Sequence, residues 1–254
     1  MREKMEVKRA NNKLFIVGIG PGGQAHISRS AWEILKKVEV IVGYKTYINL
    51  IEDIIQEEQN IYSSGMRQEQ SRAEKAIQLA EKGFSTAIIS SGDPGVYGMA
   101  GLVLELLEKN NFNVKVEIIP GITAANAAAA ILGAPLMHDY AVISLSDLLT
   151  PWEQIKKRLN KAAEADFITA LYNPKSSKRT EQIKIARKIF LKNHSKETPV
   201  GIVRNAGREN EEKIITNLAK MLDQKIDMLS TVIITNTESY IADDKIITPR
   251  GYKL

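Results

Sequence analysis

The 254-residue chain contains no cysteine and only three histidines, His26, His138 and His194. Without cysteine it cannot form disulfides, thiolate metal sites or iron–sulfur clusters of its own. Three scattered histidines argue against a zinc site built on histidine and cysteine ligands. We therefore expect no protein-bound metal.

Long apolar runs are also missing from the sequence. No segment approaches the roughly 20 apolar residues that a membrane-spanning helix requires. The N-terminal stretch "MREKMEVKRANN" is charged and lacks the apolar segment of a secretory signal. Hydrophobic residues nevertheless make up 44% of the chain, which is enough for a core. We expect a cytoplasmic protein with no membrane partner.

The net charge of +5 suits nucleic acid, an anionic membrane surface or a small polyanionic substrate. The basic residues are interleaved with acidic ones, as in "SRAEKAIQLAEKG" and "RENEEK". Such mixed runs are typical of solvated helix faces rather than of binding stripes. A non-enzymatic nucleic-acid-binding module is therefore the weakest functional hypothesis, and we expect no nucleic-acid partner.

Strand-like and helix-like segments alternate along most of the chain. This alternation predicts an α/β fold with two α/β domains in tandem, each with a largely parallel sheet. The pattern breaks around Gly133-Ala134-Pro135, so we predict domains at 13–133 and 134–254 after a flexible N-terminal extension at 1–12. In the second half we predict a long helix over 177–192 and an edge hairpin within "KIITPRGYKL".

The first glycine-rich loop, "GIGPGG", follows a predicted strand. Gly18, Gly20 and Gly23 fit the G-x-G-x-x-G pattern of dinucleotide-binding proteins, which would make the chain a nicotinamide-dependent oxidoreductase. Against this, Pro21 lacks the amide hydrogen that a phosphate-binding turn uses. The next strand ends "VIVGY", without the acid that binds the ribose hydroxyls. The oxidoreductase alternative rests on this one pattern.

A second loop, "SGDPGVYG", leaves a buried strand through glycines at 92, 95 and 98. Glycine allows the backbone to approach a ligand closely, and the carboxyl ends of strands are the usual ligand crevice. Asp93 is the only charged side chain there, which suits a ligand with cationic groups and hydroxyls better than a phosphate. The alternative for Asp93 is an Asp-Pro turn residue without a ligand.

A third segment, "PGITAANAAAAILG", combines a loop with a helix of very small residues. Thr123 can cap this helix, and Thr123 and Ala124 at its start are placed for a ligand. For Ala127 to Ala130 we favour tight packing of the helix against a sheet.

Six ordered motifs together resemble the tetrapyrrole methylase family from about Lys13 to the C-terminus. They are "VGIGPG", "SGDPGVYG", "PGITAANAAAA", "SLSDLLTPW", "ALYNPKSSKR" and "VGIVRNAGRENE". The last three are similar to the branch that methylates C17 of a precorrin ring in cobalamin biosynthesis. The resemblance implies S-adenosylmethionine bound in a cleft between two α/β domains, an anionic tetrapyrrole substrate and a homodimer.

The resemblance also implies which residues contact the cofactor. They are Pro21, Ser91, Gly92, Asp93, Val96, Thr123 and Ala124, followed in the second half by Tyr172, Asn173, Asn205, Ala206 and Thr235. The predicted substrate-binding residues are Gly20, Gly22, Arg67, Lys175 and Arg204, the last three because they can bind carboxylates. We interpret Lys178 and Arg179 as ordinary surface charge.

The implied reaction places a methyl group on C17 of precorrin-3B or cobalt-factor III and contracts the ring. A neighbouring precorrin methyltransferase with another target carbon is the alternative within the family. Ring contraction requires proton movement, for which the sequence offers five side chains without ranking them. These are His26, Asp93, Tyr97, His138 and Asp147, and no catalytic residue is assigned.

Overall fold

The computed structural model describes residues 13–253. The chain divides into a first unit that ends at Thr123 and a second that begins at Ala124. The predicted N-terminal extension, 1–12, lies outside the described residues. Each unit contains a five-stranded sheet with helices, which confirms the α/β fold class.

The first unit is built on a fully parallel sheet with the order β3-β2-β4-β1-β5. Its strands are β1 (Lys13–Gly18), β2 (Val40–Tyr44), β3 (Asn60–Ser64), β4 (Thr86–Ser90) and β5 (Lys115–Ile119). Every residue of β4 is buried, and β1 is buried over most of its length. Parallel sheets are covered on both faces, which explains why these strands read as continuous apolar runs.

Helices cover both faces of this first sheet. They are α1 (Arg29–Lys37), α2 (Lys45–Asn49), α3 (Glu69–Glu81) and α4 (Ala100–Asn110), with 3₁₀ turns at Gln24–His26 and Glu52–Ile54. The Ser28 hydroxyl caps α1 by accepting a hydrogen bond from the amide of Ala31 at 3.2 Å. Helices α3 and α4 share one apolar cluster on one face, and α1 belongs to a separate cluster.

The connections of this sheet diverge between β1 and β4. From β1 the chain passes through α1 to β2, in one direction along the strand order. From β4 it passes through α4 to β5, in the opposite direction. In open α/β sheets such a switch point leaves a crevice outside the carboxyl ends of the two strands, where ligands bind. Both glycine-rich loops of the first unit start there.

The second unit has a mixed sheet with the order β10-β9-β11-β8-β7 and a separate sheet with the order β12-β13-β6. The strands are β6 (Gly133–Ala134), β7 (Tyr140–Ser144), β8 (Ile168–Tyr172), β9 (Pro199–Arg204), β10 (Glu212–Asn217), β11 (Ser230–Ile234), β12 (Tyr240–Ala242) and β13 (Lys245–Ile247).

The prediction of a largely parallel sheet in the second half is wrong. In the five-stranded sheet only β7 and β8 pair in parallel, and the other three pairings are antiparallel. For β9 and β10 the physical reason is chain length, because their connection is too short for the crossover that parallel neighbours need. The predicted terminal hairpin also differs, because β12 pairs with β13, and β13 then pairs in parallel with β6.

The helices of the second unit are α5 (Ala124–Leu132), α6 (Trp152–Glu164) and α7 (Glu181–Phe190), with a 3₁₀ turn at Met221–Asp223. Helix α7 is shorter than the predicted 177–192. A turn precedes it, in which Ser176 and Arg179 exchange backbone hydrogen bonds of 3.0 and 3.3 Å.

The division between the units falls before α5, whereas the sequence predicts it after that helix. Helix α5 packs on β9 and β11 of the second unit, with Ala125 and Ala128 fully buried. Gly201 in β9 leaves the space that the Leu132 side chain fills, because a Cβ at Gly201 would collide with it. Ala127 to Ala129 are buried, as close packing of helix on sheet requires, whereas Ala130 is exposed because it lies on the outer face of the helix, contrary to the prediction. Across residues 13–253, no helix is both long and apolar enough to cross a membrane.

Candidate functional site

The loops after β1 and β4 are joined to each other through their backbones. The amide of Gly20 donates to the carbonyl of Gly92 at 3.2 Å, and the amide of Gly92 donates back to Gly20 at 2.7 Å. The amide of Ile19 also donates to the carbonyl of Ser90 at 2.9 Å. The two loops at the switch point therefore form one paired structure.

Glycine is required at this edge because three strand ends pack backbone against backbone. A Cβ at Gly18 would lie 2.7 Å from the Gly92 carbonyl oxygen and 2.8 Å from the Gly121 nitrogen. A Cβ at Gly121 would come closer still to the same Gly92 oxygen. Gly92 itself has a φ of +67°, which side chains rarely tolerate. These glycines thus have a structural role whether or not a ligand is bound.

Asp93 ties this loop to its neighbours. Its Oδ1 accepts a hydrogen bond from the amide of Gly95 at 2.8 Å, and its Oδ2 accepts one from the amide of Gly121 at 3.0 Å. An ionised carboxylate has about four lone-pair sites, so two backbone bonds leave it able to accept further ones. The side chain is partly exposed. The turn role and a ligand role are therefore compatible.

The other predicted residues of the first unit differ in accessibility. Pro21 and Gly22 are buried, Ser91, Val96 and Thr123 are partly buried, and Arg67 is exposed with a φ of +64°. Of the proton-transfer candidates, His26 and Tyr97 are both exposed. In the loop after β4 the accessible residues fall within 93–97, where only Pro94 is buried, and residues 23–26 after the first loop are exposed as well.

The same geometry argues against a dinucleotide site at "GIGPGG". The Gly20 amide is already bonded to Gly92, and Pro21 has no amide hydrogen. Helix α1 begins only at Arg29, so its N-terminus does not start from the glycine loop. Strand β2 ends at Tyr44 rather than at an acid.

In the second unit, Tyr172 at the end of β8 fixes the start of α5. Its hydroxyl accepts a hydrogen bond from the amide of Ala125 at 2.8 Å, one of the helix-start donors that lack a partner within the helix. The next residue, Asn173, has a φ of +50° and donates from Nδ2 to the Ser144 hydroxyl at 3.0 Å. Strand ends β7 and β8 are thus linked by side chains.

Arg179 is not surface charge, so that interpretation is wrong. The residue is only 8% exposed, and its Nη2 donates to the carbonyl of Asn173 at 2.7 Å. Its buried Nε has no hydrogen-bond partner within the described residues. Lys178 is exposed as expected, and Lys175 is partly buried. Arg179 therefore holds the loop that carries Asn173 and Lys175.

Asn205 and Ala206 follow β9 at the same edge of the sheet as Tyr172. Asn205 has a φ of +54°, and its amide donates to the carbonyl of Leu229 at 3.1 Å. Its Nδ2 donates to the carbonyl of Asn210 at 3.2 Å. Ala206 is buried in the apolar cluster that includes α5.

Arg204 is already paired within the second unit. Its Nε lies 2.6 Å from Asp227 Oδ2, and its Nη1 lies 3.2 Å from Glu212 Oε1. The hydrogen bond to Asp227 raises the pKa of Arg204. Burial raises the pKa of Asp227, but hydrogen bonds from Arg204, Leu229 and Ser230 outweigh it and hold that pKa below its usual range. Two carboxylates thus neutralise the arginine that the sequence favoured for substrate binding.

Thr235 lies at the opposite edge of the sheet from Tyr172 and Asn205. Strand β11 runs antiparallel to both β8 and β9, so the residue after its end is beside their beginnings. The side chain is fully buried, and its hydroxyl donates to the carbonyl of Pro199 at 2.9 Å. The structure therefore does not bring Thr235 together with the other predicted residues.

The remaining titratable candidates lie in different surroundings. His138 is exposed, and Asp147 accepts a hydrogen bond from Gln182 at 3.0 Å. His194, for which no role is predicted, is buried, with Nε2 2.9 Å from Asp166 Oδ1. No group of three His, Asp or Glu side chains within 13–253 is arranged to hold a metal ion.

The fold and the ordered loops agree with one protein family. The sequence model of the Tetrapyrrole (Corrin/Porphyrin) Methylases matches residues 13–222. The chain belongs to this family.

Two curated relatives make the comparison more specific. The chain is 51% identical over 245 residues to a cobalt-factor III methyltransferase of Priestia megaterium, covering 95% of this chain and 45% of the relative. It thus spans about half the length of that protein. It is 49% identical over 241 residues to a probable cobalt-factor III C(17)-methyltransferase of Salmonella typhimurium, covering 95% of this chain and all of the relative.

Solved structures agree with this assignment of the family. The crystal structure of the methyltransferase CobJ superposes with a TM-score of 0.88 at 32% identity, covering 93% of this chain and 99% of that one. A uroporphyrin-III C-methyl transferase from Thermus thermophilus, complexed with S-adenyl homocysteine, has a TM-score of 0.69 over 88% of this chain. At 19% identity, the second likeness concerns the fold alone.

Proposed function

We propose that the chain transfers a methyl group from S-adenosylmethionine to C17 of cobalt-factor III, with contraction of the ring, in cobalamin biosynthesis. The observation that carries this proposal is the 49% identity to the Salmonella relative, whose whole length is covered and whose name specifies methylation of cobalt-factor III at C17. Precorrin-3B is the alternative substrate, distinguished by the absence of cobalt. The cobalt belongs to the substrate and not to the protein.

The edge at β1 and β4 fits a sulfonium cofactor in its chemistry. It offers the backbone of a glycine-rich loop and one partly exposed carboxylate, Asp93, with lone pairs free beyond its two backbone bonds. A carboxylate attracts ammonium and hydroxyl groups but repels a phosphate. We propose that the accessible segment 93–97 contacts the cofactor, together with Pro21, Ser91, Gly92, Thr123 and Ala124.

When bound, S-adenosylmethionine supplies an activated methyl group, and the methyl transfer leaves a neutral thioether. The task of the protein is then to align the accepting carbon with the methyl group and the sulfur, so positioning supplies much of the rate. The paired loops at Gly20 and Gly92 are suited to this task because each restrains the other. Asp93 extends the restraint to Gly121 at the third strand end.

Acetate and propionate groups make the substrate strongly anionic, which agrees with the net charge of +5. Of the predicted carboxylate-binding residues, Arg67 is exposed and Lys175 partly buried, so both can reach a ligand. Arg204 is bound to Asp227 and Glu212, and we propose for it a positioning role beside Asn205. Tyr172, Asn173, Asn205 and Ala206 remain our predicted cofactor contacts in the second unit.

Mass spectrometry of the product after anaerobic incubation tests the reaction. The protein is incubated with S-adenosylmethionine and either cobalt-factor III or precorrin-3B. We expect one added methyl on cobalt-factor III. Turnover of precorrin-3B alone would reassign the substrate, and methylation of neither, with cofactor still bound, would contradict the proposed reaction.

Asp93→Asn tests the cofactor site separately. The Kd for S-adenosylhomocysteine should rise about tenfold, because a charge-assisted contact is lost. Asp139→Asn is the matched control, since Asp139 is exposed and lies outside this loop. Equal affinity of the two variants, measured by calorimetry, would remove Asp93 from the proposed contacts.

We also propose that the chain works as a homodimer in the cytoplasm, as the family resemblance implies. Light scattering coupled to size exclusion measures the mass in solution. A mass of one chain at working concentration would contradict the dimer.

A further inference from the structure

A cavity of about 200 Å³ lies beside α3, against β2 and the outer strand β3 of the first unit. Its polar lining consists of Tyr62, Ser63, Ser64, Ser71, Arg72 and Lys75. The exposed Ser63 and Ser71 place its mouth at the protein surface. Neither the glycine-rich loops nor any residue predicted from the sequence belongs to this lining.

Arg72 is a buried cation whose hydrogen-bond partners are neutral. It is 5% exposed, and its Nε donates to the Ser64 hydroxyl at 2.8 Å. Its Nη2 donates to the Gly65 carbonyl at 2.9 Å, and its Nη1 has only the sulfur of Met99, at 3.9 Å. Burial lowers the pKa of Arg72, with the charge of Glu69 opposing this effect. The centre of the Tyr44 ring lies 5.8 Å from the guanidinium carbon, but none of the described carboxylates forms an ion pair with Arg72. Because a buried charge is favourable only when it is compensated, this site favours an anion.

Lys75 adds a second positive charge one helical turn further along α3. The residue is partly buried, and its Nζ lies 4.6 Å from the centre of the Tyr62 ring. The side chains at 72 and 75 lie on the same face of the helix because of their spacing. Two cations and three serine hydroxyls around a cavity of this size suit a carboxylate on a short arm, not a whole macrocycle.

The position of this cavity matches such an arm. Strand β3 lies two places from β4 in the order β3-β2-β4, so their ends are roughly 10 Å apart. Because the sheet is parallel, the residues Ser63 and Ser64 lie at the carboxyl end, the same edge as Gly92 and Asp93. A ligand bound at the switch point can extend a side arm along this edge.

We propose that the cavity beside α3 binds one carboxylate arm of the anionic tetrapyrrole through Arg72, Lys75 and the serine hydroxyls around them. This inference rests on the proposed function, since it assigns a subsite to the same substrate. A free inorganic phosphate has related chemistry, and the experiment separates the two.

The test is a titration of the full chain with cobalt-factor III, followed by its visible absorption, with saturating S-adenosylhomocysteine to prevent turnover. The variants are Lys75→Gln, Arg72→Lys and the control Lys82→Gln, which removes an exposed charge from the end of the same helix. We expect the Kd to rise about fivefold to tenfold in both cavity variants and to stay unchanged in the control. The Kd for S-adenosylhomocysteine should be the same in all four proteins.

Lys75→Gln keeps the test independent of folding, because Arg72 also holds Ser64 and Gly65 in place whereas Lys75 does not. Equal tetrapyrrole affinity in Lys75→Gln and Lys82→Gln would overturn the proposal. Phosphate binding that requires Lys75 but does not compete with the tetrapyrrole would assign the cavity to free phosphate and would also overturn it.

The failure of the proposed reaction would look different. A wild-type protein that binds the tetrapyrrole in a Lys75-dependent manner, yet methylates neither substrate, would contradict the reaction and support the subsite. A wild-type protein that binds neither tetrapyrrole would overturn both.

Discussion

The two sheets present their site residues by different physical means. In the first unit, glycines at or two residues beyond the ends of β1, β4 and β5 touch through their backbones, and Gly18 and Gly121 have no room for another atom. In the second unit, Tyr172, Asn173 and Arg179 join strand and helix ends through side-chain hydrogen bonds. Backbone contact makes the first edge intolerant of added volume, whereas the second edge should tolerate changes that preserve shape.

The largest effect should come from adding one methyl group at the first edge. Gly121→Ala would force its Cβ into the Gly92 carbonyl and separate the strand ends. We expect a loss of roughly 3 kcal/mol in the free energy of unfolding, measured by urea denaturation.

Gly101→Ala is the matched control for that substitution. Gly101 lies in α4, and a Cβ there meets nothing within 4 Å. Alanine should therefore stabilise the helix by about 0.5–1 kcal/mol. Equal stability losses for the two variants would show that crowding does not distinguish Gly121.

A smaller effect is expected from removing one hydroxyl at the second edge. Tyr172→Phe keeps the ring but leaves the Ala125 amide at the start of α5 without its acceptor. The free energy of unfolding should fall by about 1 kcal/mol. Tyr240→Phe, at an exposed position, is the control. A loss as large as that of Gly121→Ala would contradict the difference between the two edges.

The smallest effect should come from the Arg204–Asp227 pair and should depend on pH. Because the pKa of folded Asp227 lies below its unfolded value of about 3.9, the pair stabilises the protein above about pH 4 and loses this effect as pH falls through the folded value. Asp227→Asn should lower the Tm by about 2 °C at neutral pH. Calorimetry should show this difference vanishing once the pH has fallen below the folded pKa of Asp227. A difference that persists there would mean that the charge is not responsible.

The first unit was the more predictable of the two because its parallel strands are buried on both faces and give clear apolar runs. The edge strand β3, "NIYSS", was missed, since most of its residues are polar and exposed. In the second unit the strands β8, β9 and β11 are visible in the sequence as apolar runs. Their directions are not predictable in this way, because an apolar run does not indicate whether the neighbouring strand is parallel or antiparallel to it.

In the candidate site, too, local features are predictable from the sequence and contacts between distant segments are not. Asp93 and the glycines around it are recognisable in the sequence because a turn at a strand end is formed by neighbouring residues, as in the hydrogen bond from the Gly95 amide to Asp93. The burial of Arg179 and the position of Thr235 at the far edge depend on contacts between distant segments. The short connection after β9 is the signal in the sequence for the antiparallel pairing of β9 with β10.

The pairing of Gly20 with Gly92 has a consequence for the entropy of binding. Two separate loops would each lose conformational freedom when a ligand ordered them, whereas loops that already share two backbone hydrogen bonds are ordered together beforehand. Because that bridge consists of main chain alone, the partly buried Ser91 side chain can be exchanged without breaking it, whereas Ile19 belongs to the buried core. The same loop pair can therefore be adapted to differently shaped ligands while its preorganisation is kept.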